Sequence, residues 1–328
     1  MTETTTPLIV ALGEAMIRLT AEHHVPLAHA RSFTSNVAGA ELNLLVAASQ
    51  LGVRGRWLTR LPDNELGTMM RLHAQSFGVE VRAIEESGAR AGLFFLEVGA
   101  APRASRVLYD RADSAASHLG VEDFDWTEVV RDAHVAHVTG ITAALGPPAL
   151  AASVAFLAAA RAQGVRTSFD VNYRSQLWGE GDARVAGRQI LEHTDVVFVA
   201  PSDLSLLTGA TGSVEELAGR LRQDFAVSTL VVRERTDVAA DELGVSVRVI
   251  GEHDASAQAS GHVVDQLGAG DAAAGAFLAS VLRGDSAETA ARYCAHAYAR
   301  MLTLPGDSFS GSWSDLDEGF ATSRRLVR

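Results

Sequence analysis

The sequence predicts an α/β fold of three layers, a central and mainly parallel sheet sandwiched by helices, with a small β-sheet lid. Three observations predict it. Short apolar, β-rich runs alternate with Ala/Leu-rich helical stretches along nearly the whole chain, the rhythm of strands covered on both faces by helices. One segment, residues 90–111, breaks that rhythm by carrying two β-rich runs with no helix between them. No internal repeat or low-complexity linker divides the 328 residues, so a single domain over 1–328 is expected, with lid segments at about 14–36 and 90–112 inserted in the core.

Taken in order, residues 7–12 read as the first strand and 41–51 as a helix stopped by Gly52 at its C′ position. A strand near 55–59, a helix over 65–77 and a strand around 80–84 follow. In the interrupting segment, runs 93–98 and 106–109 flank the loop Gly99-Ala100-Ala101-Pro102 and read as a hairpin outside the main sheet. Joined by an extended stretch at 16–20, it makes a lid over one end of the core; an edge decoration is the other reading. The rhythm resumes with a strand at 135–138, a helix over 148–163, a strand at 166–170, a helix over 182–192 and a strand at 195–199. A helix over 214–223, a strand at 229–233 and a β-hairpin through 244–250 come next, and helices over 269–283 and 287–302 close the pattern.

Composition narrows the chemistry. With 28 basic and 40 acidic residues the formal charge is −12, and all 28 basic residues are arginine. Whatever its origin, genomic bias included, the lack of lysine excludes Schiff-base enzymes and leaves a Walker A phosphate loop incomplete. Any grip on phosphate or carboxylate must come from Arg forks, backbone N–H groups or a metal. Nucleic acid is not an expected partner, because no basic stripe offsets the acidic balance, and Arg324, Arg325 and Arg328 read as a solvated tail. One cysteine, Cys294, cannot form an internal disulfide or a thiolate zinc site and reads as helix core. The opening residues 1–6 lack the basic start and apolar run of a secretory signal, and the apolar stretch 149–160 is too short to span a bilayer. A cytoplasmic protein without a membrane partner is expected.

Asp265-Gln266-Leu267-Gly268-Ala269-Gly270-Asp271 lies between an extended stretch and the start of a helix. Two glycines one residue apart let N–H groups converge at a helix N-terminus, where the macrodipole favours an anion such as a transferring phosphoryl group. Asp271, in the first turn, can accept a proton from an attacking hydroxyl. Taken alone, the same residues read as a dipole-stabilising Asp in a glycine-rich turn. Histidines offer little: His134 and His137 lie on opposite strand faces, His23-His24 lacks partners, and no zinc site is expected. A nicotinamide-dependent oxidoreductase is set aside, since no G-x-G-x-x-G follows the first strand.

The run from Val264 to Gly275, Val-Asp-Gln-Leu-Gly-Ala-Gly-Asp-Ala-Ala-Ala-Gly, resembles the C-terminal signature of the ribokinase-like (PfkB) carbohydrate kinases. Gly13-Glu14, Ala38-Gly39-Ala40-Glu41-Leu42-Asn43 and Pro62-Asp63-Asn64-Glu65-Leu66-Gly67 extend the likeness over nearly the whole chain. Within that family, Ser168-Phe169-Asp170-Val171-Asn172-Tyr173-Arg174-Ser175-Gln176-Leu177-Trp178 is most similar to the 2-keto-3-deoxygluconate kinases, as are His137-Val138-Thr139-Gly140-Ile141 and Tyr109-Asp110-Arg111-Ala112-Asp113-Ser114-Ala115.

The resemblance implies a ribokinase-like fold and a sugar kinase using ATP and Mg²⁺. The expected reaction is phosphorylation of 2-keto-3-deoxygluconate on its C6 hydroxyl. Asp271 would be the catalytic base beside an anion hole of Gly268, Ala269 and Gly270. Gly39, Ala40 and Asn43 would approach the sugar from the core, and Phe94 and Tyr109 from the lid. Arg111 and Arg174 would fork its carboxylate. Asp203, Arg233, Gly268, Gly270 and Asp307 would face the nucleotide, Asp203 also the metal. This chain departs from the family pattern in four places. Phe94 stands where relatives have Tyr, Asp110 replaces an aromatic, Ala200-Pro201-Ser202-Asp203 replaces Asn-x-x-Glu, and Arg233-Glu234-Arg235 replaces Lys-Arg-Gly. Alternatives are a kinase of fructose, ribose or a nucleoside, and a catalytically silent sugar-binding relative. A homodimer meeting through the lids is expected from the family.

Overall fold

Five consecutive apolar residues leave β1 (Leu8–Leu12) no solvated face, and the strand sits mid-sheet with parallel neighbours on both sides. The computed structural model describes residues 6–100, 102–239 and 241–318; residues 1–5, Ala101 and the terminal arginines 324, 325 and 328 lie outside the described residues. After β1 the chain leaves the main sheet to make the antiparallel pair β2 (Met16–Ala21) and β3 (Phe33–Ala38), and returns through the Ala40–Gln50 helix to β4 (Arg54–Pro62). The Glu65–Ser76 helix follows, capped by Asn64, whose side-chain oxygen accepts from the Leu66 and Gly67 N–H groups. It leads to β5 (Val79–Glu86), and then β6 (Gly92–Glu97) and β7 (Arg106–Asp110) form the hairpin that interrupts the alternation.

From β8 (Val135–Thr139) strands and helices alternate again: the Pro147–Ala162 helix, β9 (Arg166–Asp170), the Glu180–Leu191 helix, β10 (Val196–Val199), then helices Pro201–Thr208 and Val214–Asp224 before β11 (Thr229–Ala239). β12 (Glu242–Ile250) and β13 (Ala255–His262) follow, and helices Ala269–Arg283 and Ala287–Leu302 pack back onto the sheet. The main sheet has the order β13-β12-β11-β10-β9-β8-β1-β4-β5, in which only β12 is reversed and pairs antiparallel with both β11 and β13, and the lid sheet has the order β3-β2-β6-β7. Alternate residues of β1 feed opposite cores: Ile9 and Ala11 join Trp57, Phe198 and Phe277, while Leu8, Val10 and Leu12 join Phe156, Phe169 and Leu207. That division is the three-layer sandwich.

Three local expectations are corrected. Residues 244–250 are not a hairpin but part of the single strand β12, held between β11 and β13. The strand begun at 229 runs on to Ala239, although its outer half, Glu234 to Ala239, is exposed. β3, β13 and the Pro201–Thr208 helix carry too weak a signal to have been read: β13 is Ala- and Ser-rich, and β3 buries only its last two residues.

Candidate functional site

Beyond β1 the chain crosses to β4 on one side, whereas β8, β9 and β10 extend the sheet on the other, so β1 and β8 flank a topological switch point. Ligands of open α/β sheets bind in the crevice outside the strand carboxyl ends at such a point. Glu41 stitches it together: Oε1 accepts from the Thr139 N–H at 2.9 Å, the Thr139 hydroxyl at 2.8 Å and the Thr142 hydroxyl at 2.7 Å. Burial pushes this carboxyl up to about 7. A Cβ on Gly13, the residue that follows β1, would lie 2.3 Å from the same carboxyl, so a side chain there would displace it.

At the mouth of the crevice, Gly268 takes φ 78° and ψ −10° and caps the Ala269–Arg283 helix. A side chain there would need a left-handed backbone and would meet the Asp307 carbonyl at 2.6 Å. The first intrahelical bond is Ala272 N–H to the Gly268 carbonyl at 2.8 Å, so the N–H groups of Ala269, Gly270 and Asp271 precede it. Arg233 braces this turn, donating from Nη1 to the Gly270 carbonyl at 2.5 Å and from Nη2 to Asp170 at 2.6 Å, with its guanidinium 5.2 Å from the Phe198 ring centre.

Asp271 accepts from the Asn43 side chain at 2.8 Å. Burial lifts its carboxyl to about 6; the Asn43 bond opposes that rise, Asp170 adds to it, and Arg174 and Arg233 oppose it. Asn43 lies on the Ala40–Gln50 helix, whose cap Gly39 sits so close to the Glu14 carbonyl that a Cβ would lie 2.3 Å from it. Phe94 and Tyr109 are directly paired across β6 and β7, ring centres 5.8 Å apart, and pack with Met16, Ala38 and Leu267. The lid thereby touches the turn.

The two arginines expected at a substrate carboxylate are placed differently. Arg174 is exposed and makes only a long 3.5 Å bond to the neighbouring Tyr173 carbonyl among the described residues. Arg111 is committed to Glu14, a buried carboxylate that also accepts from the Ser114 hydroxyl at 2.8 Å. Burial pushes Glu14 up, against the Arg111 charge and the Ser114 bond. The Arg111 guanidinium lies 5.8 Å from the Tyr109 ring centre, and its buried Nε has no partner.

On the other side of the turn, Asp203 lies in the first turn of the Pro201–Thr208 helix, lifted to about 6 by burial and then by Asp170. A desolvated carboxylate beside another is a natural seat for a divalent cation. Among the described residues no three or more acidic, His or Cys groups converge to cage one. Asp307, expected at the nucleotide, is 4% exposed, its carboxylate is ion-paired with Arg18 at 3.0 Å, and its backbone carbonyl is what a side chain on Gly268 would meet. A cleft of about 1050 Å³ opens between the lid, at Leu96 and Val107, and the β11–β12 tip, at Asp237 and Glu242. It reaches the turn at Asp265 to Leu267 but is not lined by Asp271, Asn43 or Arg174.

Sequence reasoning gave no role to Arg18, Glu14, Glu41 or Asp170, although the last three stand inside quoted motifs. Their partners are far away in the chain, and nothing local marks them.

The sequence matches the pfkB family carbohydrate kinase over residues 6–311. A 2-dehydro-3-deoxygalactonokinase of Haloferax volcanii is 36% identical over 301 residues, 91% of this chain and 92% of its own length. A 2-dehydro-3-deoxygluconokinase of Thermoproteus tenax is 32% identical over 316 residues, 92% of this chain and 90% of its own. The crystal structure of 2-dehydro-3-deoxygluconokinase from Thermotoga maritima superposes with a TM-score of 0.89 at 31% identity, covering 95% of this chain and 98% of that one. Shared sequence and shared fold over nearly the full length make this chain a member of the pfkB family of carbohydrate kinases, phosphotransferases that act on a sugar hydroxyl.

Proposed function

We propose that the protein transfers the γ-phosphoryl group of ATP to the C6 hydroxyl of 2-keto-3-deoxygluconate, giving 2-keto-3-deoxy-6-phosphogluconate and ADP. The observation that carries the acid-sugar assignment is Arg174, an exposed guanidinium near enough to Asp271 to lower its pKa yet with no carboxylate partner among the described residues. A planar fork left open beside the candidate base is suited to a substrate carboxylate. Arg111 contributes less directly, because Glu14 already holds it; its part is to fix the lid beside Tyr109.

In this reading the sugar lies between Gly39, Ala40 and Asn43 on the core side and Phe94 and Tyr109 on the lid. Asn43 holds one oxygen of Asp271 and leaves the other for the sugar hydroxyl. As that hydroxyl oxygen bonds to phosphorus and the bond to the ADP oxygen breaks, its proton passes to Asp271. The N–H groups of Ala269, Gly270 and Asp271, at the positive end of a helix, face the charge that develops on the phosphoryl oxygens. Arg233 keeps the turn in shape and adds fixed positive charge beneath it. A Mg²⁺ ion held by Asp203 would supply charge neutralisation on the phosphates. Lid closure excludes water that would otherwise be phosphorylated.

A second reading, the C4 epimer 2-keto-3-deoxygalactonate, is favoured by the 36% identity to a 2-dehydro-3-deoxygalactonokinase. The test is ADP release from ATP and Mg²⁺ with both keto-deoxy acids, gluconate, fructose, ribose and adenosine, with Asp271→Asn as control. Turnover confined to the keto-deoxy acids and lost in the control supports the proposal, and the ratio of the two kcat/KM values chooses the epimer. Turnover with a neutral sugar keeps the kinase and removes the carboxylate assignment. Tight sugar binding with no ADP from any of them shows a silent relative.

A further inference from the structure

Arg18, on lid strand β2, carries a full charge at 2% exposure. It is held by three bonds: Nη2 to Asp265 Oδ2 at 2.5 Å, Nη1 to Asp307 Oδ2 at 3.0 Å, and Nε to the Thr20 hydroxyl at 2.8 Å. Asp265 is itself fixed, accepting from the Leu267 N–H at 3.1 Å and the Gly306 N–H at 3.2 Å. Asp307 packs its carbonyl against Gly268. One guanidinium of the lid sheet therefore grips two carboxylates, one just before the Gly268–Asp271 turn in sequence and one packed upon it.

We infer that Arg18 is a positioning residue for phosphoryl transfer, tying lid strand β2 to Asp265 and Asp307 so that the lid sheet holds the anion-receiving turn in shape. The inference rests on the reading of that turn as the phosphoryl site. Two carboxylates left side by side, Asp307 buried and Asp265 partly so, would repel each other and any arriving phosphoryl oxygen; Arg18 removes both penalties with one rigid fork. It touches neither sugar nor phosphate in the mechanism above, so its contribution lies in geometry and compensating charge.

The test pairs Arg18→Met, which keeps bulk but strands both carboxylates, with Arg18→Lys, which keeps charge but not the fork. Amide hydrogen exchange is followed over peptides covering 265–272 and 304–307, and kcat and KM are measured with the sugar that the panel selects. In the Met variant, exchange should rise in those two peptides with the rest of the main sheet unchanged. Its kcat should fall by roughly 10²-fold, as for a misplacement of about an ångström, while the sugar KM moves little. Lys should recover part of that loss, and in Arg18→Ala so should free guanidinium ion at a sub-denaturing concentration. Unchanged exchange in the turn overturns the inference. So does an unchanged kcat, a loss confined to sugar KM, or a defect that neither Lys nor guanidinium ion relieves. Exchange needs no substrate, so it decides the question even if no sugar in the panel is phosphorylated.

Discussion

Replacing Asp271 by Asn should abolish turnover and, at the same time, stabilise the protein. Folding lifts this carboxyl from 3.8 to about 6, a rise of about 2 units. At about 1.4 kcal/mol per unit, the ionised form costs the native state roughly 3 kcal/mol at pH 8. Asn is uncharged and close in shape, and its side-chain oxygen still accepts from Asn43, so most of that cost disappears. The sign follows from proton binding: a raised acid pKa means the native state binds the proton more tightly, so the wild type is penalised fully above about 6 and not at all below 3.8. The gain in Asp271→Asn should therefore appear in thermal melts at pH 8 as a rise of about 4 °C or more, shrink as pH falls through 6, and vanish near 3.8. Turnover should drop about 10³-fold above about pH 6, the loss of a general base, and by less at lower pH, where wild-type Asp271 is itself protonated. A melting temperature that is unchanged or lower at pH 8, or a gain that grows toward acid pH, would refute the reasoning.

Arg174→Ala should raise the KM for the acid sugar by roughly tenfold to a hundredfold, with a smaller change in kcat and little effect on any neutral sugar, measured by steady-state ADP release. Arg111→Ala should instead strand buried Glu14 and cost about 3–5 kcal/mol of stability in urea unfolding, so the two arginines separate by assay. In Gly268→Ala the new methyl group meets the Asp307 carbonyl from a left-handed backbone, so kcat should fall roughly 10²-fold and stability by about 1–3 kcal/mol. For the wild type, log kcat/KM should fall with unit slope as pH drops below about 6, because only ionised Asp271 accepts the proton; a profile flat to pH 5 would remove Asp271 from that role.

Short β-rich runs between helical stretches were enough to read the parallel strands: β1 and β10 are apolar throughout, and β8 and β9, though they carry His137, Thr139, Ser168 and Asp170, are bounded by clear turns. The glycine turn was legible because its backbone geometry forbids other residues, which leaves a mark in the sequence itself. Edge strands were harder: β3 and β13 gain their shape from pairing rather than from their own residues. Harder still were the buried ion pairs. Arg111 looks like a free fork until Glu14, 97 positions away, is seen to hold it. Asp307 gives no sign in the sequence that Arg18, 289 positions away, pairs with it. Long-range charge pairing has no periodicity, so it is decided only in three dimensions.

The Arg18 brace also bears on the order in which the molecule is assembled. Its two ion pairs join positions 289 and 247 residues apart, so the ends of an extended chain must meet before either forms. Loop-closure entropy puts such contacts late, after local helices and neighbouring strands have paid for the search. A nascent chain would thus carry a folded sheet and a formed lid well before it carried a competent turn. Phosphoryl transfer is in this sense a property of the completed molecule, withheld from its partly made forms.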